Sequence, residues 1–116
     1  MAITTSVVGT SIGTGLVYTC SVTAPQTGTA ITCIMICNTS SSTSATVTLY
    51  AVPSTGGGTS PGSASNTNMI MNALPIPAGE TVSLDQEKLV LGNNDTLVAV
   101  SSQATTLTIL ISTLPV

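Results

Sequence analysis

Apolar and hydroxyl-bearing side chains alternate with a period of two along most of this 116-residue chain. An extended strand sends successive side chains to opposite faces, and Val and Thr both suit a pleated, half-buried surface. No segment spaces apolar residues at i, i+3, i+4 and i+7 between capping residues, so the pattern predicts no helix. It predicts eight strands: Leu16 to Ala24, Thr29 to Asn38, Ala45 to Val52, Asn68 to Leu74, Thr81 to Leu84, Lys88 to Leu91, Thr96 to Ser101 and Thr106 to Thr113. In the third of these, Ala45, Val47, Leu49 and Ala51 share one side, and Thr46, Thr48, Tyr50 and Val52 share the other.

The connections fit short strands. Residues 53–68 hold Gly56-Gly57-Gly58 and Pro61-Gly62 among Ser, Thr and Asn, and read as a long, exposed, flexible loop. Asn38 to Ser44 is a Ser/Thr turn, while Pro77-Ala78-Gly79 and Gly92-Asn93-Asn94-Asp95 are tight turns. Pro53, Pro75 and Pro77 are placed at strand ends, where a missing N–H costs little. Many short strands with frequent turns predict an all-β fold, a single antiparallel β-sandwich over residues 14–116 with an N-terminal arm over residues 1–13. Immunoglobulin-like and jelly-roll connectivities both remain open at this level.

The second predicted strand departs from the alternation. Strict period two puts Ile31, Cys33, Met35 and Cys37 on one face and Ala30, Thr32, Ile34, Ile36 and Asn38 on the other. Both faces are largely apolar, whereas a sandwich sheet turns only one face to the core. The outer face then needs cover from a loop, a terminal arm or another subunit. The chain ends are apolar as well. The expected contact residues are therefore Ile3, Val7 and Val8 of the arm, Ile34 and Ile36 of the strand, and Leu114 and Val116 at the end of the chain.

Composition sharpens this expectation. Hydrophobic residues make up 42% of the chain and charged residues 4%, against about 25% charged in ordinary soluble domains. The charged residues are Glu80, Asp85, Glu87, Lys88 and Asp95, for a net charge of −3. One Lys, no Arg and two Tyr cannot neutralise phosphates or stack on bases, which excludes nucleic acid as a partner. No apolar run approaches the length of a transmembrane helix; the longest strongly apolar stretch is Cys33 to Cys37. Met1 to Ser6 carries no basic n-region followed by an apolar core, so no secretory signal is expected. Surface charge is what normally keeps copies of a protein apart. A surface nearly free of it predicts a homo-oligomer or a larger assembly in which neighbours cover the sandwich.

Candidate chemistry is sparse. The chain has no His to activate a Ser or Cys nucleophile, and Lys88 beside Glu87 reads as a solvated ion pair, so no enzyme activity, cofactor or small-molecule substrate is expected. Asp85, Glu87 and Asp95 near turns raise a calcium site, but without EF-hand spacing no metal is assigned. Cys33 and Cys37 lie four apart on one strand, about 13 Å between Cα atoms, too far to bridge each other. Cys20 has either of them as a conceivable cross-strand partner, though three free thiols in a reducing cytosol is the favoured reading. The Asn38-Thr39-Ser40 and Asn94-Asp95-Thr96 sequons carry no weight without a secretory route.

Three segments carry a resemblance. They are Ile34 to Ser42 continuing into Ala45 to Ser54, Leu74-Pro75-Ile76-Pro77-Ala78-Gly79-Glu80-Thr81-Val82-Ser83-Leu84, and Lys88 to Val100. Together they resemble small β-sandwich virion structural proteins of tailed bacteriophages. The resemblance implies a structural part of the virion, of the capsid decoration or cement type, which clamps neighbouring major capsid protein subunits. Its partners would be itself and the major capsid protein, on the capsid surface of particles assembled in the host cytoplasm. A tail, neck or baseplate structural or receptor-binding module is the alternative within the virion, and a carbohydrate-binding module, which would lean on Tyr18 or Tyr50, is the alternative outside it.

Overall fold

The computed structural model describes residues 4–8, 14–22, 24–85, 89–103 and 107–116. Nine strands run through them: β1 (Thr4–Val8), β2 (Thr14–Thr19), β3 (Gly28–Asn38), β4 (Ala45–Val52), β5 (Met69–Ile76), β6 (Thr81–Leu84), β7 (Leu89–Gly92), β8 (Thr96–Ser101) and β9 (Leu107–Pro115). Eight of them answer to the expected strands. The ninth, β1, lies in the segment expected as an arm.

The pairing is that of one long hairpin rolled up. Thr4 faces Thr113, Thr14 faces Val100, Ile34 faces Leu84, Ala45 faces Ile76, and the two legs meet at an isolated bridge between Thr55 and Ser60. Rolling brings the legs together a second time, joining β3 to β9 and β4 to β8. Two antiparallel sheets result. One has the order β1-β9-β3-β6, with β7 also on β3, and the other has the order β2-β8-β4-β5. That order is a jelly roll, which removes the immunoglobulin-like alternative.

The core is the space between the sheets. Leu107, Ile109 and Ile111 of β9 and Ile31, Ile34 and Ile36 of β3 are buried there against Val47, Leu49, Leu97 and Ala99 of the other sheet. Each large aliphatic side chain buried this way contributes about 1.5–3 kcal/mol over exposure.

The irregularity of β3 has a local cause. Its register against β9 shifts between Ile31 and Cys33, where one extra residue bulges. A shift of one residue exchanges the faces of a strand. Ile31 before the bulge and Ile34, Ile36 and Asn38 after it all turn inward, whereas Ala30, Cys33, Met35 and Cys37 are more exposed. The strictly alternating face assignment is corrected accordingly. Thr32, at the bulge, donates its hydroxyl to the Ser112 carbonyl at 3.2 Å.

Two polar clasps hold the turns. Asn38 is fully buried. Its amide nitrogen donates to the carbonyls of Thr43 (2.9 Å) and Ile76 (3.0 Å), and its amide oxygen accepts from the Ser40 N–H (3.0 Å). These bonds tie the β3–β4 turn to the end of β5, and they leave the sequon at Asn38 no accessible amide. Asn94 sits in the β7–β8 turn at φ 65°, a left-handed conformation that Asn tolerates, and its side chain donates to the Gly58 carbonyl at 2.8 Å. The 53–68 loop is exposed over most of its length, as expected, and is braced by this bond and by those closing the Thr55–Ser60 bridge. Pro75 falls inside β5 rather than at its end, yet β5 is a sheet edge and the residue is exposed, so no ladder bond is lost to the core.

Replacing Asn38 with Leu strands the buried Ile76 carbonyl, the part-buried Thr43 carbonyl and one turn N–H. We expect a loss of about 2–3 kcal/mol, read as a lower urea midpoint with an unchanged slope. A midpoint equal to the parent's would contradict the clasp.

Candidate functional site

The outer face of the five-stranded sheet is the surface that stands out. Across it, the register aligns Leu110 of β9, Met35 of β3 and Ser83 of β6 in one row. A second row holds Leu114, Ala30 and Val90 of β7. Met35 is 40% exposed and Val90 63% exposed, whereas Leu110, Leu114 and Ala30 are half-buried by their neighbours. Cys33 and Cys37 flank Met35 on β3, half-buried, and the Cys33 thiol lies 3.6 Å from the Ser83 hydroxyl. None of these residues is charged. The face is a mosaic of apolar and hydroxyl or thiol groups that water wets weakly and that no ionic repulsion protects.

The predicted contact residues divide on this geometry. Ile34 is 6% exposed and Ile36 fully buried, both on the inner side, so they build the core and cannot present a contact surface. The bulge at Thr32 is the reason. Leu114 lies on the outer face, and Val116, 43% exposed, follows the end of β9, where its backbone exchanges hydrogen bonds with Gly28. Val7 and Val8 belong to β1, whose register sets them opposite Leu110 and Ile109. Ile3 lies outside the described residues. The alternation missed Met35, Val90 and Leu110 as a group. Leu110 is an apolar exception between Thr108 and Ser112 on the outer side of β9, but nothing in the sequence marks the bulge that turns Met35 outward beside it.

No protein-family model matches the chain, and no curated protein sequence is similar to it. It is similar to a solved structure from work on Bacillus endospore appendages, described there as a novel family of disulfide-linked pili, with a TM-score of 0.41, 12% identity, and coverage of 97% of this chain and 80% of that one. A likeness of that depth carries no argument about function.

The other candidate chemistries separate in space. All three cysteines are free. Cys20 is fully buried, its thiol 3.3 Å from the Leu91 carbonyl and 3.4 Å from the Thr29 hydroxyl, whereas Cys33 and Cys37 lie on the outer side of β3. The sheet itself stands between them, which disposes of either cross-strand disulfide. Asp95 is not poised for calcium. Its carboxylate accepts from the Gly92 N–H (2.8 Å) and the Ser54 N–H (2.7 Å), closing the β7–β8 turn and anchoring the start of the long loop. Glu87 and Lys88 lie outside the described residues. Among those that are described, no three His, Cys, Asp or Glu side chains converge as metal ligands, and no helix is long and apolar enough to cross a membrane.

Two outcomes follow from these placements. Ile36→Ala should cost about 2–5 kcal/mol, and Met35→Ala should stay within about 0.5 kcal/mol of the parent, both by chemical denaturation; equal costs at the two sites would void the assignment of faces. Asp95→Ala should lose about 1–3 kcal/mol, and added calcium should leave the parent's melting midpoint where it was; a calcium-dependent rise would return Asp95 to a metal site.

Proposed function

We propose that the protein is a structural subunit of a many-copy assembly, specifically a capsid decoration or cement protein of a tailed bacteriophage. The observation that carries the reading is the outer face of the five-stranded sheet, where Met35 and Val90 stand in solvent among uncharged neighbours. The virion location rests on the sequence resemblance.

The physics suits a clamp. Apolar area removed from water returns about 25 cal/mol per Å², offset by the cost of immobilising each copy. One weak contact holds poorly, but a subunit that touches several neighbours on a symmetric shell converts later contacts into intramolecular ones. A neutral face gives binding little dependence on salt, because there are few charges to screen. In this reading the partners are further copies of the chain and the major capsid protein, and no catalytic residue is required.

Decoration of empty phage shells, followed by reconstruction of the particle, is the test. We expect ordered copies around capsid symmetry axes, occupancy nearly unchanged in about 1 M salt, and occupancy reduced at least tenfold by the Met35→Lys, Val90→Lys double variant at matched concentration. That double variant must first show parent-like unfolding. Undecorated shells with a monodisperse monomer in solution would overturn the reading, as would full occupancy by the double variant.

A further inference from the structure

A cavity of about 330 Å³ opens at the end of the sandwich where the chain crosses from β2 to β3, that is, from one sheet to the other. We infer that this cavity binds a neutral, polyhydroxylated ligand of monosaccharide size. The inference is independent of the assembly reading, since the cavity's Thr29 and Thr113 are buried on the inner side of β3 and β9, whereas Met35 and Val90 stand on the outer face of that sheet.

The walls set the ligand's chemistry. Tyr18, near the end of β2, packs partly against the core and lines the cavity. Thr29 at the start of β3 and Thr113 near the end of β9 line it from the facing sheet, both almost fully buried. The crossing segment adds Ser21 and Gln26. Hydroxyl-bearing Tyr18, Ser21, Thr29 and Thr113 and amide-bearing Gln26 thus line the space; groups of these kinds can both donate and accept hydrogen bonds, and the Thr29 hydroxyl already accepts from the Cys20 thiol at 3.4 Å. Val22 and Pro115 complete the lining with apolar surface.

Three ligand classes compete for such walls. An ion finds no counter-charge, because the lining holds no Asp, Glu, Lys, Arg or His. A hydrocarbon would displace water from Thr, Ser and Gln groups and give nothing back, which is the arrangement most strongly rejected by a polar site. A sugar or cyclitol matches on both counts. Its hydroxyls meet the Thr, Ser and Gln groups, and its apolar C–H face meets the Tyr18 ring and Val22. The volume lies at the lower end of the range of about 300–1,000 Å³ for small-ligand sites, which suits one ring rather than a chain.

The sequence supplies its own reporter. With no Trp and only two Tyr, a Tyr50→Phe variant leaves Tyr18 as the sole fluorophore. We would titrate that variant with methyl α-glucoside, methyl β-galactoside, N-acetylglucosamine and myo-inositol, and with gluconate as a charged counterpart, to about 50 mM each. The expected result is a saturable change in Tyr18 emission with at least one neutral compound, a millimolar dissociation constant, and no response to gluconate. Gln26→Leu, on the crossing segment and outside the core, should weaken binding at least tenfold while the melting midpoint stays near the parent's. Isothermal calorimetry on the unmodified chain should give the same ranking. Silence from all four neutral compounds in both measurements would overturn the inference. So would an equal response to gluconate, or binding that Gln26→Leu leaves intact. Failure here would leave shell decoration unaffected, and failure of decoration would leave this titration unaffected.

Discussion

The molecule depends on one dry layer between two sheets. Ile31, Ile34 and Ile36 on β3, Leu107, Ile109 and Ile111 on β9, and Val47, Leu49, Leu97 and Ala99 opposite them fill it with aliphatic side chains. No aromatic ring contributes bulk at its centre; Tyr18 packs only at its margin. Small β-branched and leucine side chains fill a narrow inter-sheet space well, but each covers little area, so many must take part at once. The rolled hairpin meets that demand, because it stacks nearly every strand of each leg over the other and joins the legs twice.

That demand explains the bulge in β3. The strand has eleven residues and serves three partners, pairing with β9 along its length and with β6 and β7 on its other edge. Without the extra residue, Ile31 or the pair Ile34 and Ile36 would turn to the outside. With it, all three reach the core and Met35 is left in solvent between two thiols. The exposed apolar patch is therefore tied to how the core is filled, and the same residues that stabilise the interior decide what the surface offers a neighbour.

Polar groups act at the margins of this layer. Asn38 and Asp95 each satisfy backbone groups that the sheets leave over at their turns, and Asn94 reaches from one turn to brace the long loop. Of the charged side chains among the described residues, Asp95 is spent on local turn geometry and Glu80 and Asp85 are exposed just outside the ends of β6. The cavity beside Tyr18 is the complement, a place at the sandwich end where Thr, Ser and Gln residues join Val22 and Pro115 in the lining.

By itself the sequence determined the fold class, the approximate position of eight strands and the exposed long loop, because period-two alternation and turn residues are local properties of the chain. Ala45 to Val52, Thr81 to Leu84 and Thr96 to Ser101 coincide with their observed limits. The scarcity of charge and the lack of His were equally plain from composition. Only the tertiary structure decided the jelly-roll order, since the pairings of β3 with β9 and of β4 with β8 join residues far apart in sequence. Only it decided that β1 pairs with β9, that Ile34 and Ile36 are interior, and that Cys20 is walled off from Cys33 and Cys37. The physical reason is common to all of these: a strand's register is set by the partner it must match, and one bulged residue reverses the meaning of every alternation that follows it.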